Sequence, residues 1–389
     1  MRKYLFFFAA AAALVACSKN EVIPAVNEAE TEITYTVAPK VRSTINDFDK
    51  TWNFKSYAYY LANATGDWAA NNASATEYIK GITIKYDTDV WRNEDSKYYW
   101  PKAGKLTFFA YTNVTESIAA DASLSDGKGK STYTFGTIID PTVSNTTGVK
   151  YADYDVVANK NVDILVADMK ADQTKNVTTD YSGTYTDNRT KAGKFDGVPT
   201  LFRHKLSKVI FTAQTKDGYD YETKDGITFT INSITFKGID KVNTYTQGVA
   251  ADGMGEWGTA SASADQTYYT KGTAGVKVTK DIAGLYADGN QYLYLPQKFT
   301  AETSGNTALT EDVFVVNYTI RYANGTEETI EQECVMNNSD TNVTSVFKEW
   351  EMAKVYYINL KFSLDEILWD PAVEDWTEDK AEVTINPAV

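Results

Sequence analysis

The sequence predicts an all-β fold, and three observations support that prediction. Tyrosine (27), phenylalanine (17) and tryptophan (8) are abundant beside many threonines, and all four residue types favour strands. Apolar and polar residues alternate with a period of two in many segments, whereas helical periodicity is scarce. Short strands divided by polar turns are typical of β-sandwiches and barrels. A chain of 389 residues with 43% apolar content is too long for one ordinary domain and can bury a sizeable core.

Residues 1–16 are predicted to be an export signal. Arg2 and Lys3 precede an apolar run from Leu5 to Val15. That run is shorter than the about 20 residues of a bilayer span but suits a secretory signal. It ends in the letters LVAC, which resemble the lipobox of bacterial lipoproteins. The resemblance implies cleavage between Ala16 and Cys17 and a palmitate-type lipid anchor on Cys17. The alternative is an ordinary signal peptide with an accidental cysteine.

A polar tether, residues 17–32, is predicted to separate this signal from the first strand. In that strand Ile33, Tyr35 and Val37 alternate with threonines, so the three side chains are expected to share one face. The loop after the strand carries Arg42.

Later segments repeat the strand pattern. At Asn232-Ser233 the alternation slips by one residue, which predicts a β-bulge or a strand that changes sheets. The longest clean strand, residues 314–322, runs into Asn324-Gly325, which predicts a hairpin. Residues 162–167 are apolar on both parities, which predicts a strand buried on both faces. The polar residues 112–132 are predicted to form a loop.

The chain is predicted to contain two domains. Residues 168–199 are polar and bear glycines, they lie near the midpoint, and strands resume at Leu201. We therefore predict β-sandwich domains at residues 33–200 and 201–389, each of a normal size.

Composition excludes several functions. A net charge of −14 and a pI near 4.7 leave no basic surplus for nucleic acid. His204 is the one histidine, which argues against a histidine-rich metal site or a histidine-dependent triad. No nucleotide, hydrolase or zinc-protease motif is present, so we predict no enzyme, no cofactor and no metal.

Cys334 follows the apolar parity of its strand, which predicts a buried thiol.

Three weaker patterns leave alternatives. Paired carboxylates, such as Glu374-Asp375, resemble a glycosidase pair but are typical of solvated loops in an acidic chain. Asp87-Thr88-Asp89 begins like a calcium loop, but Trp91 and Arg92 stand where a ligand and a glycine are required. Five tryptophans form either a sugar-stacking platform or core packing: Trp52, Trp68, Trp91, Trp100 and Trp257.

Several segments resemble the fimbrillins, the subunits of type V pili, and their Mfa-like relatives. The first is Tyr98-Tyr99-Trp100-Pro101 followed by the letters GKLTFFAY. The others, in the family's order, are DILVA at 163–167, FRHKLSKV at 202–209, YLYLPQ at 292–297 and WDP at 369–371. The resemblance covers most of the chain.

This resemblance implies two transthyretin-like β-sandwiches with long loops, exported as an outer-membrane lipoprotein. In the family's pilins an arginine-specific protease cuts in the loop after the first strand, and a strand from a neighbouring subunit fills the vacated groove. Arg42 matches the cleavage position, so the strand with Ile33, Tyr35 and Val37 would be removed on maturation. The alternative for Arg42 is a loop arginine in a subunit that is never trimmed.

The sequence therefore predicts a fimbrial structural subunit, or an accessory or tip adhesin. Its expected partners are other fimbrial subunits, the outer membrane, and a ligand on a host or bacterial surface. Residues 381–385 form a short candidate donor strand near the C-terminus, so shaft and tip roles both stay open. The alternative function is a stand-alone, surface-exposed lipoprotein that binds glycans.

Overall fold

The structure is a computed structural model. It describes residues 32–37, 48–63, 65–88, 90–120, 126–174, 197–250, 254–272, 275–286, 289–301, 312–337, 347–364 and 367–376. The predicted signal, Ala16, Cys17, Arg42 and the C-terminal donor segment lie outside these residues.

The described residues confirm the all-β prediction, since 58% of them lie in strands and 5% in helices. The helices are α1 (Trp68–Asn71), α2 (Tyr221–Asp225) and the 3-10 turns Asn72–Ser74 and Lys216–Gly218. The strands are, in order, β1 Tyr35–Val37, β2 Phe54–Leu61, β3 Thr76–Asp87, β4 Val90–Asn93, β5 Lys105–Ala119, β6 Lys130–Phe135, β7 Thr142–Ser144, β8 Gly148–Asp155, β9 Val162–Ala167, β10 Lys170–Gln173, β11 Val198–Thr200, β12 Phe202–His204, β13 Ser207–Thr215, β14 Thr228–Thr246, β15 Glu256–Trp257, β16 Ala262–Thr270, β17 Val276–Val278, β18 Ala283–Gly284, β19 Leu293–Tyr294, β20 Gln297–Lys298, β21 Val313–Arg321, β22 Glu327–Val335, β23 Glu349–Trp350, β24 Lys354–Phe362 and β25 Ile367–Asp375.

The first sheet has the strand order β11-β1-β4-β3-β2-β5-β9-β12, and β6 and β10 also pair with β5. One face covers a core that includes Phe54, Leu106, Phe108 and Leu165. Phe202 on β12 lies 5.2 Å from Phe54, measured between ring centroids, although two strands separate β12 from β2. The sheet therefore curves around this core.

Two further sheets build the second, larger core. One has the order β18-β13-β24-β25, and the other has the order β22-β21-β14-β8-β7, with β15, β16 and β17 also paired to β14. Aromatic rings fill the space between them, with Phe211 centred 4.7 Å from Tyr268 and 5.3 Å from Phe314. Two sheets packed face to face over such a core form a sandwich.

Three strand-level predictions are confirmed. The register between β14 and β21 shifts between Ile231 and Ser233, where the alternation slips. β21 and β22 form the predicted hairpin, and the Gly325 N–H donates to the Tyr322 carbonyl at its turn. β9 is buried along nearly its whole length.

The loop prediction for residues 112–132 is wrong in part, because β5 continues to Ala119 and β6 begins at Lys130. Glu116 lies within this polar segment, but its side chain is buried in a partnered site. A buried ion pair cannot be told from a surface charge in the sequence.

Strand pairing crosses the predicted boundary near residue 200. β12, which follows the boundary, pairs with β9. β8, which precedes it, pairs with β14. The two-domain division stays a prediction, and these pairings tie its two parts together.

Candidate strand-exchange site

The candidate site is the groove that holds β1. β1 runs parallel to β11, with Tyr35 opposite Val198 and Val37 opposite Thr200. On its other side, Tyr35 lies opposite Trp91 of the antiparallel strand β4. The three-residue strand β1 thus lies between β11, which ends the sheet, and β4, which would be an edge without it.

Backbone hydrogen bonds extend this insertion toward the N-terminus. The Ile33 N–H donates to the Tyr98 carbonyl at 2.7 Å, and Glu32 forms an isolated bridge with Tyr99. On the other edge the Val198 N–H donates to the Thr34 carbonyl at 2.7 Å. The Tyr98-Tyr99 segment, quoted above for the family resemblance, is therefore part of the groove.

Two side chains anchor β1 in the first core. Ile33 and Tyr35 are each 3% exposed, whereas Val37 is half-buried. The Tyr35 ring meets Phe54 and Phe108 edge-on, with centroids 5.7 and 6.0 Å away. Burial raises the pKa of the Tyr35 hydroxyl far above its ordinary value. Full burial of such side chains stabilises the fold by about 1.5–3 kcal/mol each.

An aromatic cluster lies beside these anchors. Phe48 stacks on Phe202 at 4.8 Å and meets Trp52 and Trp91 edge-on at 5.4 and 5.3 Å. Trp52, Trp68 and Trp91 are buried, so of the two interpretations of the tryptophans core packing holds for these three. Trp100 and Trp257 are half-buried in separate regions.

Gly197 is a groove residue that sequence reasoning missed. Its φ is +145°, and a Cβ there would lie 2.8 Å from the carbonyl carbon and oxygen of Thr34. Only glycine lets the start of β11 approach β1 this closely. The available signal was a glycine directly before a predicted strand, which by itself does not reveal the neighbouring chain.

His204 occupies a buried site between the two cores rather than a catalytic cleft. Its Nδ1 lies 2.5 Å from Asp163 Oδ2, and its ring stacks on Trp376 at 3.8 Å. Burial, followed by the charge of Glu116, raises the pKa of Asp163 well above its ordinary value. The side chains of His204 and Asp163 are fully buried.

A second buried pair continues this network. Lys208 Nζ on β13 contacts Glu116 Oε1 on β5, and it donates to Ser131 Oγ at 2.6 Å. Lys208 also lies over the Trp376 ring, 5.2 Å from its centroid. These contacts join strands of the first sheet to β13 and to the residue after β25.

Several acidic residues from adjacent carboxylate pairs of the sequence form ion pairs with lysines in the described part of the chain. Glu94, Glu374 and Asp375 form ion pairs with Lys85, Lys128 and Lys354, respectively. Among the residues that the structure describes, no three histidine, cysteine or carboxylate side chains are grouped to hold a metal ion. These three carboxylates are thus each partnered by a lysine ammonium group.

Sheets packed face to face over an aromatic core place the chain in the class of β-sandwich proteins. Within that class the chain belongs to the fimbrillin-like family, whose model matches residues 41–376. Fimbriae are cell-surface appendages, so membership of this family places the chain among proteins of the cell surface.

Two solved structures are similar to this chain. A fimbrial protein from Bacteroides vulgatus is 15% identical, with a TM-score of 0.51, and the match covers 89% of this chain and 99% of that one. This likeness shows a shared fold. The C-terminally truncated tip fimbrial protein Mfa3 from Porphyromonas gingivalis is 11% identical, with a TM-score of 0.35 over 89% of this chain and 100% of that one.

No curated protein matches the chain. No helix in the described ranges is long and apolar enough to cross a membrane.

Proposed function

We propose that this chain is a fimbrial subunit that assembles by exchanging β1 for a strand of a neighbouring subunit. The observation that carries the proposal is the insertion of β1 between β11 and β4, with Ile33 and Tyr35 anchored in the core. Removing β1 would leave two strand edges unpaired and two apolar pockets empty. Only another extended strand with alternating apolar side chains meets both demands.

Processing and anchoring complete the proposal. Arg42 follows Val37 by a few residues, so cleavage there would separate the strand from the rest of the fold. Cys17 would carry the lipid that holds the exported precursor at the outer membrane until cleavage. The covalent anchor and β1 would then leave together, which couples release from the membrane to opening of the groove.

The first experiment is intact mass and N-terminal sequencing of the protein from cell envelopes, in parallel with a fibre preparation. A chain in fibres that begins at Ser43 and carries no lipid supports cleavage at Arg42 and a shaft role. Arg42→Ala should block the cut, whereas Lys40→Ala is the matched control and should not. A chain that still begins at acylated Cys17 and is absent from fibres would overturn shaft assembly.

A competition experiment tests strand exchange itself. A synthetic peptide of residues 32–37 should refill the groove of the trimmed chain and suppress the ladder of oligomers on gels. The control peptide carries serine in place of Ile33 and Tyr35 and should leave the ladder unchanged. Equal inhibition by both peptides would contradict the proposed role of the two anchors.

A further inference from the structure

An open cleft of about 700 Å³ lies in the second half of the chain. Three two-residue strands contribute to its walls: β15, β20 and β23. Within the described residues each of them has one partner strand, since β15 pairs with β14, and β20 pairs with β23. The cleft is therefore bordered by strand edges, and it shares no residue with the β1 groove described above.

The cleft is strongly acidic. Asp240, Glu256, Glu349 and Glu351 line it, against the single ammonium group of Lys298. None of the four carboxylates forms an ion pair with another described residue, in contrast to the paired acids elsewhere on the surface. The pKa of Asp240 is raised, mainly by burial. A hydrogen bond from Ser263 lowers this pKa, and the nearby charge of Asp312 raises it. A cationic group in the cleft would relieve this excess of negative charge.

No three acidic or other ligating side chains of the described residues are grouped to hold a metal ion. The carboxylates of the cleft therefore do not converge on one point. Several separate cationic groups therefore fit the cleft better than one ion does. An extended chain with lysine or arginine side chains supplies such groups at intervals of about 7 Å on one face.

Two tryptophans, Trp257 and Trp350, also line the cleft. Trp257 is half-buried, and its Nε1 donates to the Lys205 carbonyl at 2.6 Å, which fixes the ring in the wall. Trp350 is 1% exposed, and its Nε1 has no hydrogen-bond partner among the described residues. An indole ring attracts a cation, and an indole N–H needs an acceptor such as a peptide carbonyl.

We propose that this cleft binds an extended, lysine- or arginine-bearing peptide segment of a partner protein. The lining carboxylates pair with the basic side chains, and the bordering strand edges offer hydrogen bonds to the peptide backbone. A neutral glycan would leave the excess charge uncompensated. A second copy of this chain is disfavoured because each copy carries a net charge of −14.

The test measures binding of a fluorescent peptide of alternating lysine and threonine residues to the intact protein by anisotropy. The variant E256Q/E349Q/E351Q should weaken binding about tenfold at low salt, because three exposed charge contacts are lost. The control E327Q/E328Q/E333Q removes the same charge from exposed positions on β22 and should change the affinity less than about twofold. Raising the salt concentration should weaken wild-type binding.

Three outcomes would overturn the proposal. The first is no measurable binding of the basic peptide by the wild-type chain. The second is equal weakening in both triple variants, which would assign the effect to overall charge. The third is displacement of the peptide by a neutral oligosaccharide with no response to salt, which would assign the cleft to glycans. Because the assay needs no trimming at Arg42, none of these outcomes bears on strand exchange.

Discussion

At the scale of single residues, buried polar groups distinguish this protein from a simple apolar sandwich. Asp163 and Glu116 come from the first sheet, and Lys208 from β13 of another. A buried charge is costly unless it is paired, so these residues favour one arrangement of the two cores. Trp376 covers the network by stacking on His204.

The raised pKa of Asp163 gives a pH prediction. The folded chain keeps this proton after the unfolded chain has released it, so the stabilisation is complete below the ordinary pKa of 3.8 and is lost as the pH rises through the folded pKa. Asp163→Asn has no such proton. The free energy of unfolding of Asp163→Asn, minus that of wild type, should therefore increase with pH between 3.8 and the folded pKa of Asp163. The expected slope is on the order of 1 kcal/mol per pH unit.

Urea denaturation of both proteins across about pH 4 to 7 measures this difference. Asp126→Asn is the control, because it removes a carboxyl group at an exposed position. A difference that stays flat with pH for Asp163→Asn would contradict the buried, protonated carboxyl.

Cys334 gives a second prediction at this scale. Burial, followed by the charge of Glu333, raises the pKa of its thiol to about 12, and the residue is 4% exposed. In a chain with Cys17→Ser, the native thiol should react with a disulfide reagent orders of magnitude more slowly than in denaturant, because the thiolate is the reactive form. Stoichiometric labelling within minutes in native buffer would contradict this.

At the scale of elements, β1 and β14 have opposite characters. β14 has nineteen residues and pairs along its length with β21 and with shorter strands. β1 has three residues and depends on a few backbone bonds and two buried side chains. The short length of β1 and its few contacts therefore make it a strand that local opening can release at low cost.

Gly197→Ala tests how closely β1 must approach β11. The added Cβ would meet the Thr34 backbone at 2.8 Å, and the strained φ adds about 1–3 kcal/mol. We expect faster hydrogen exchange at the Tyr35–Val37 amides and, in the trimmed chain, slower polymerisation. Gly136→Ala, whose Cβ meets nothing within 4 Å, is the control. Unchanged exchange in Gly197→Ala would show that the groove tolerates a side chain there.

At the scale of the whole molecule, the pairings of β12 with β9 and of β8 with β14 join the two predicted domains. The Glu116–Lys208 pair spans the same junction. Each half therefore completes a sheet or a charge pair of the other, and separation would expose unpaired strand edges and buried charges.

We accordingly predict that the chain unfolds in one cooperative transition and that residues 201–389 alone do not fold. Calorimetry of the full chain and circular dichroism of the isolated half, in the near and far ultraviolet, measure this. Residues 33–389 are the matched control and should keep the single transition. Two separated transitions, or a folded isolated half, would show that the junction contacts are dispensable.

The sequence by itself determined the all-β class, the bulge at Asn232-Ser233, the hairpin at Asn324-Gly325 and the buried strand β9. These features follow from alternation and turn chemistry, which act between neighbours in the chain. The sequence also contains the segments that resemble those of fimbrillins.

Tertiary structure alone decided where β1 sits, why Gly197 is glycine, and that Glu116 is an interior residue paired with Lys208. It also brought Asp240, Glu256, Glu349 and Trp350 to one cleft from distant positions. Local pattern cannot show these contacts, because each joins residues far apart in sequence whose proximity depends on the packing of whole sheets.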